Sequence, residues 1–169
     1  MTVPQRRTTP PRTLVLLRHG KSDYPAGVPD HDRPLNERGR RQAALAGEWM
    51  DNDGLDVDAV ICSTAERTRQ TLSRTGIDVA TIYTEDIYEN TPENILEAIR
   101  SYAPDDATTL LVVGHFPGLP GTALLLDDAA DIDEFPTSAY AVLTIGAAWE
   151  RIGLDVDPAA CFTALQIPR

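Results

Sequence analysis

The stretch TLVLLRHGKS, residues 13–22, decides the architecture. Its first half, TLVLL at 13–17, is a short continuous apolar run, the mark of a strand buried on both faces of a sheet. Its second half, RHGKS at 18–22, turns abruptly polar. A buried strand that ends in a cluster of polar side chains is how an open α/β sheet presents functional groups, at the carboxyl ends of its strands.

The same sentence is written twice more. AVIC at 59–62 runs into STAER at 63–67, and TTLLVVG at 108–114 runs into His115. VATIYT at 79–84 and AYAVLTI at 140–146 read as further strands, and CFTALQI at 161–167 as a possible edge strand. Helical signals lie between them. Asn36 can cap a helix that Glu37 opens, with Leu45 and Trp49 on one face, before an Asp- and Gly-rich turn at 51–58. A second helix is expected from about Ala65 to a stop at Gly76. Thr91, Pro92 and Glu93 form a cap, a first-turn proline and a first-turn acid for a third, and PGLPGTALLL at 117–126 reads as a short fourth. Strands alternating with helices predict an α/β fold, a three-layer αβα sandwich around a mostly parallel sheet.

The chain has 169 residues, 42% of them hydrophobic, which suits one domain with a packed core. Residues 1–12, basic and rich in Pro and Thr, read as a flexible leader without the apolar segment of a signal peptide, and 13–169 as the domain. Net charge is -11, a poor basis for binding nucleic acid or an anionic membrane surface. No apolar run reaches the roughly 18 residues that a membrane-spanning helix needs. Cys62 and Cys161 both stand in apolar surroundings and read as buried thiols, so a disulfide framework is not expected and a reducing, cytoplasmic setting is. Nine of the twelve cations beyond the leader lie between Arg18 and Arg74, so an acidic body concentrates its positive charge where an anionic group can be held. Arg40, Arg41, Arg69 and Arg74 among them are expected to coat helix faces.

Two of the three histidines, His19 and His115, sit at predicted strand ends beside a glycine. Each alone is as consistent with a structural hydrogen bond as with chemistry. Together, with arginines in reach, they suggest phosphoryl transfer through histidine. Imidazole attacks phosphorus when one ring nitrogen is unprotonated and the other is fixed by a hydrogen bond. The transferred group spreads charge over three equatorial oxygens, and planar guanidinium forks such as Arg18 and Arg67 match them in pairs without a metal. Lys21 and Ser22 are open between phosphate contact and loop structure, Asp32 and Arg33 are expected to pair locally, and His31 to be an exposed loop residue. The loop at 23–34 is placed to cover the pocket.

Four motifs in order, LLRHG at 16–20, LNERGRRQA at 35–43, STAERTRQT at 63–71 and LVVGHFPGL at 111–119, resemble the histidine phosphatase superfamily, the phosphoglycerate-mutase-like proteins. RHGKSD at 18–23 with DHDRPLNERG at 30–39 is most similar to the compact SixA-like phosphohistidine phosphatases. The resemblance implies a phosphoglycerate-mutase-like fold and no cofactor or metal. It makes His19 the nucleophile, Arg18 and Arg67 phosphate-binding arginines, and His115 the second histidine on the phosphoryl group. Glu89, in IYEN at 87–90, matches the acid of those members that use a glutamate there, with Glu85 and Asp86 as neighbours competing for that role. Two departures stand out. Phe116 replaces the asparagine that often follows the second histidine, and only 21 residues separate Arg67 from Glu89 and 25 separate Glu89 from His115, too few for the long inserted cap of mutases and acid phosphatases. A short, open site favours a phosphorylated protein over a small phosphorylated molecule as substrate. The alternatives are a small phosphate-ester phosphatase and, in a different class, a non-catalytic phosphate-binding or protein-interaction module.

Overall fold

The computed structural model describes residues 11–154 and 160–169. Of the leader expected over 1–12 only Pro11 and Arg12 fall within these, and Arg12 already belongs to the first strand. In chain order the elements are β1 (Arg12–Arg18), α1 (Glu37–Asn52), β2 (Ala59–Ser63), α2 (Glu66–Thr75), β3 (Thr81–Thr84), α3 (Pro92–Tyr102), β4 (Thr109–Gly114), α4 (Gly118–Leu126), β5 (Tyr140–Ile145) and β6 (Cys161–Gln166). They build one six-stranded sheet in the order β3-β2-β4-β1-β5-β6. β1 runs parallel to β4, and β2 parallel to both β3 and β4, while at one side β5 is antiparallel to β1 and β6 antiparallel to β5.

The local signals act where the sequence carries them. The Asn36 side chain accepts the Gly39 N–H at 2.8 Å and starts α1. Gly76 ends α2 in the left-handed region at φ 78°, which costs glycine nothing. Thr91 caps α3 by accepting the Asn94 N–H at 3.2 Å, with Pro92 in the first turn.

Alternate residues of each central strand feed two cores. Leu14 and Leu16, with Ile61, Leu110 and Val112, face Ile95 and Ile99 of α3 and Leu119 and Ala123 of α4. Val15 and Leu17, with Val60, Cys62, Leu111 and Val113, face Ala46 and Met50 of α1 and Leu72 of α2. The helices therefore cover both faces of the sheet, as the αβα reading requires.

Several expectations are corrected. α1 continues through Asn52, so the turn begins at Asp53, and Leu45 and Trp49 only flank a buried stripe made of Ala43, Ala46, Gly47 and Met50. The third strand is shorter than its apolar run, because it forms only where it pairs with Val60–Ser63. Cys62 is buried, and burial pushes its thiol up to about 12, but Cys161 is exposed at the start of the edge strand β6. An edge strand has no neighbour on one side to bury it.

Candidate active site

Three strands bring the separated motifs together. β1 delivers Arg18 and His19, β2 leads through Ser63 into α2 and Arg67, and β4 delivers His115. Because β1 pairs with β4 and β4 with β2, these carboxyl ends are neighbours, and Arg18 stands opposite Gly114 in the register. The His19 and His115 rings lie 5.3 Å apart, centroid to centroid. They line a shallow pocket of about 160 Å³ with Arg18, Ser22, Arg67 and Glu89.

His19 is 7% exposed. Its Nδ1 lies 2.7 Å from the carbonyl oxygen of Gly20. A carbonyl only accepts, so Nδ1 carries the proton and donates, and the lone pair is on Nε2. Burial, and then the positive charges of Arg67, Arg18 and Arg33, hold the imidazole down to about 3, against the opposing effect of the Gly20 hydrogen bond. It is therefore neutral at physiological pH and keeps its lone pair.

The loop that holds this ring is itself held. The Gly20 N–H donates to Thr71 Oγ1 of α2 at 2.9 Å, and the Lys21 N–H to Gln42 Oε1 of α1 at 3.1 Å. The Lys21 carbonyl accepts the Asn36 N–H at 2.9 Å. Gly20 and Gly39 meet backbone to backbone here: a Cβ on Gly39 would stand 2.0 Å from the Lys21 oxygen.

His115 is 4% exposed, and its Nε2 lies 2.8 Å from Ser63 Oγ. Ser63 Oγ accepts the Ala65 N–H at 3.3 Å, and His115 Nε2 is the acceptor within reach of its O–H among the described residues; with that O–H donated to Nε2, the His115 proton is on Nδ1. Burial first, then its neighbours His19 and Arg67, lower this imidazole too to about 3. Its Nδ1 is buried without a hydrogen-bond partner, and so are the Nε atoms of Arg18 and Arg67. Buried donors left unpaired are costly, and three of them on residues lining one pocket describe a receptor for an acceptor-rich anion.

Arg67 is 1% exposed, and its terminal nitrogens are occupied. They donate to the Asp30 carbonyl oxygen at 2.7 Å, to Asp30 Oδ2 at 3.1 Å and to Glu89 Oε1 at 3.0 Å. Arg18 donates to the Phe135 carbonyl at 2.8 Å and stacks its guanidinium 5.1 Å from the Phe116 ring. Phe116 is thus an apolar wall beside an arginine, at 52% exposure.

Glu89 lies at the pocket with φ 45°, an unusual conformation for a side chain other than glycine. Its two competitors lie elsewhere: Asp86 accepts from the Tyr102 hydroxyl at 2.8 Å, and neither it nor Glu85 lines the pocket. Ser22 is buried, and its Oγ accepts from Arg33 at 2.7 Å.

The loop at 23–34 does form a wall, and its chemistry was not read correctly from the sequence. Arg33 pairs with Asp30, Nε to Oδ1 at 3.0 Å, rather than with Asp32, which instead sits 3.5 Å from His31. The three-residue helical turn Asp30–Asp32 points the two acids apart. His31 is half-buried, bonded to Thr64 Oγ1 at 2.8 Å and set edge-on to Tyr88. Asp30 and Tyr88 are the residues around the pocket that sequence reasoning missed, and Ser63 and Arg33 take partners, His115 and Asp30, that it did not assign. The Tyr88 hydroxyl donates to Asp30, and with Arg33 and Arg67 it holds the Asp30 carboxyl far below the usual carboxylate range. The Asp30–Arg67 contact spans 37 positions, so no local pattern announces it.

The family model for the histidine phosphatase superfamily (branch 1) matches residues 14–90. A solved structure of a candidate phosphohistidine phosphatase SixA from Nakamurella multipartitia is 36% identical, with a TM-score of 0.86 over 95% of this chain and 98% of that one. The chain belongs to the histidine phosphatase superfamily. A second SixA candidate, from Agrobacterium tumefaciens, is 28% identical with a TM-score of 0.78 over 94% and 99% of the two chains. An uncharacterized protein of Mycobacterium tuberculosis is 44% identical over 90% of this chain and all of its own length. As a histidine phosphatase the protein is a phosphohydrolase acting on phosphorylated substrates, and its sheet, in which β5 alone runs against the other five strands, is the phosphoglycerate-mutase-like fold. Among the described residues no helix is long and apolar enough to cross a membrane.

Proposed function

We propose that the protein hydrolyses phosphohistidine on a protein substrate through a covalent phosphohistidine at His19. The observation that carries this reading is the His19 ring itself. Nδ1–H is tied to the Gly20 carbonyl, and the free Nε2 lone pair belongs to a ring 5.3 Å from that of His115 and under the positive charges of Arg67, Arg18 and Arg33.

In the first step the Nε2 lone pair forms a bond to phosphorus, and the P–N bond of the substrate breaks. The substrate imidazole leaves with that electron pair and takes up a proton. Arg18, Arg67 and the His115 Nδ1–H bind the equatorial oxygens, where charge is held in the transition state. In the second step a water oxygen bonds to phosphorus, the P–Nε2 bond breaks, and phosphate leaves while the water gives up its proton. Glu89, bonded to Arg67 at the pocket, is the group assigned to move these protons. Asp30 is unsuited to the task, because its neighbours keep it ionised. Ser22, held by Arg33, is a further donor toward the phosphate.

Pocket size supports a protein substrate. Sites that enclose a small molecule run to roughly 300–1,000 Å³. At about 160 Å³ this one takes a phosphoryl group and the first atoms attached to it, and the rest of the substrate lies outside. Tyr24, 72% exposed, and Phe116 flank the opening.

Rapid quench with a phosphohistidine protein labelled in its phosphoryl group tests the proposal. Wild type is expected to carry transient label that is lost in acid and maps to His19, and folded His19→Ala is expected to show neither label nor turnover. Normal turnover by folded His19→Ala overturns the assignment, and label on His115 reverses the roles of the two histidines.

A further inference from the structure

α1 presents the exposed Arg38 and Arg41 and the partly buried Leu45 on successive turns of one stripe, at spacings of three and four residues. With Gln42 and Arg169 these side chains line a groove of about 400 Å³. Among the described residues no acidic side chain lines it. Arg38 and Lys21 are exposed and hold no ion pair among the described residues. Arg41 pairs with Glu37 at 3.1 Å, but both partners are largely exposed, and such a pair yields readily to a competing anion.

The groove is joined to the active site. Gln42, one of its walls, accepts from the Lys21 N–H at 3.1 Å and from Thr137 Oγ1 at 3.0 Å, and Lys21 and Thr137 both line the catalytic pocket. A path of positive charge therefore leads from the pocket through Lys21 to Arg38 and Arg41, around the partly buried Leu45. The neighbouring groove on the other side of α1 has the opposite character. The larger groove between α1 and α2, about 540 Å³, is lined by Glu48, Asp51, Asp56 and Asp78 against Arg74 alone, and the whole chain carries -11. A protein with that net charge tends to repel acidic partners, and this path is a place where it attracts them.

We infer that the α1 groove docks an acidic segment of the substrate protein next to its phosphorylated residue. This rests on the phosphohistidine reading of the pocket and adds to it the class of protein recognised, one whose phosphoacceptor is flanked by Asp and Glu. The groove supplies the affinity for the polypeptide that a pocket of phosphoryl size does not.

The test compares two synthetic phosphohistidine peptides, one flanked by Asp and Glu and one by Ser and Gln, with phosphoramidate as the substrate that has no flanks. Wild type is expected to show a kcat/KM about tenfold or more higher for the acidic peptide at low salt. The advantage shrinks as the ionic strength approaches 0.3 M, where screening acts within about 6 Å. Arg38→Glu/Arg41→Glu is expected to abolish or invert the preference through KM while phosphoramidate hydrolysis stays at the wild-type rate. Wild type without the preference, or a double variant that keeps it, overturns the inference. The same peptides carrying phosphoserine separate the two readings. An acidic preference there, with no hydrolysis of either phosphohistidine peptide, retains the groove and overturns the phosphohistidine assignment.

Discussion

Gly39→Ala tests how tightly the catalytic loop is fixed, from a position that touches no substrate. The new Cβ would stand 2.0 Å from the Lys21 carbonyl oxygen and 2.8 Å from the Lys21 carbon and nitrogen. Cβ contacts below 3.0 Å are essentially never formed, so the two backbones must separate by about 1 Å. Neither side gives way cheaply. Gly39 lies in the first turn of α1, and its N–H is held by the Asn36 cap, while Lys21 is bonded to Asn36 and Gln42. Overpacking of this kind typically costs about 1–3 kcal/mol. For a domain of this size that is a fall in Tm of roughly 2–12 °C. His19 is two residues from the point of collision, and a 1 Å displacement of a reacting group costs about 10²-fold in rate. Thermal unfolding and steady-state hydrolysis of phosphoramidate measure the two effects. Gly54→Ala is the control: at φ 74° it strains the backbone, with nothing within 4 Å of the new Cβ, so it is expected to lose about 1–2 kcal/mol of stability and no activity. A folded Gly39→Ala protein within twofold of wild-type kcat and within about 1 °C of its Tm would refute the claim that this backbone contact positions His19.

Glu89→Gln is expected to slow hydrolysis of phosphate esters with poor leaving groups by about 10²–10⁴-fold and that of phosphoramidate far less, because the N–P bond is labile; equal, near-wild-type rates on both, compared under single-turnover conditions, would remove Glu89 from proton transfer. His19 and His115 have folded-state values near 3 against an ordinary 6.5. Between those limits the unfolded chain binds the extra protons, so stability is full above about pH 6.5 and falls on acidification toward pH 3, by about 1.4 kcal/mol per pH unit for each histidine. Urea melts across that range should show a shallower acid limb for His115→Asn than for wild type, and an unchanged limb would contradict the burial of a neutral His115. Exhaustive chelation with EDTA is expected to leave turnover intact, since arginines perform the neutralisation; loss restored by one divalent ion would refute this.

The alternation of TLVLL, AVIC and TTLLVVG with capped helical segments determines the αβα sandwich, and the polar residues after three of those strands determine where the site forms. Those features are local. An apolar run long enough for one strand, an Asn36 or Thr91 cap and a Gly76 stop act on their own neighbours, and parallel packing then gathers the strand ends at one edge. The convergence of Arg18, His19, Arg67 and His115 on one pocket was legible for that reason. Tertiary structure alone decided the partners of Arg67, since Asp30 and Glu89, which both accept from its Nη2, reach it across 37 and 22 positions. It also decided that Arg33 turns to Asp30 and not Asp32, that His31 packs on Tyr88 and that Cys161 lies exposed at a sheet edge. A carboxylate is drawn to whichever guanidinium the fold brings within hydrogen-bond distance. That distance is set by the path of the whole chain, which no short window of sequence contains.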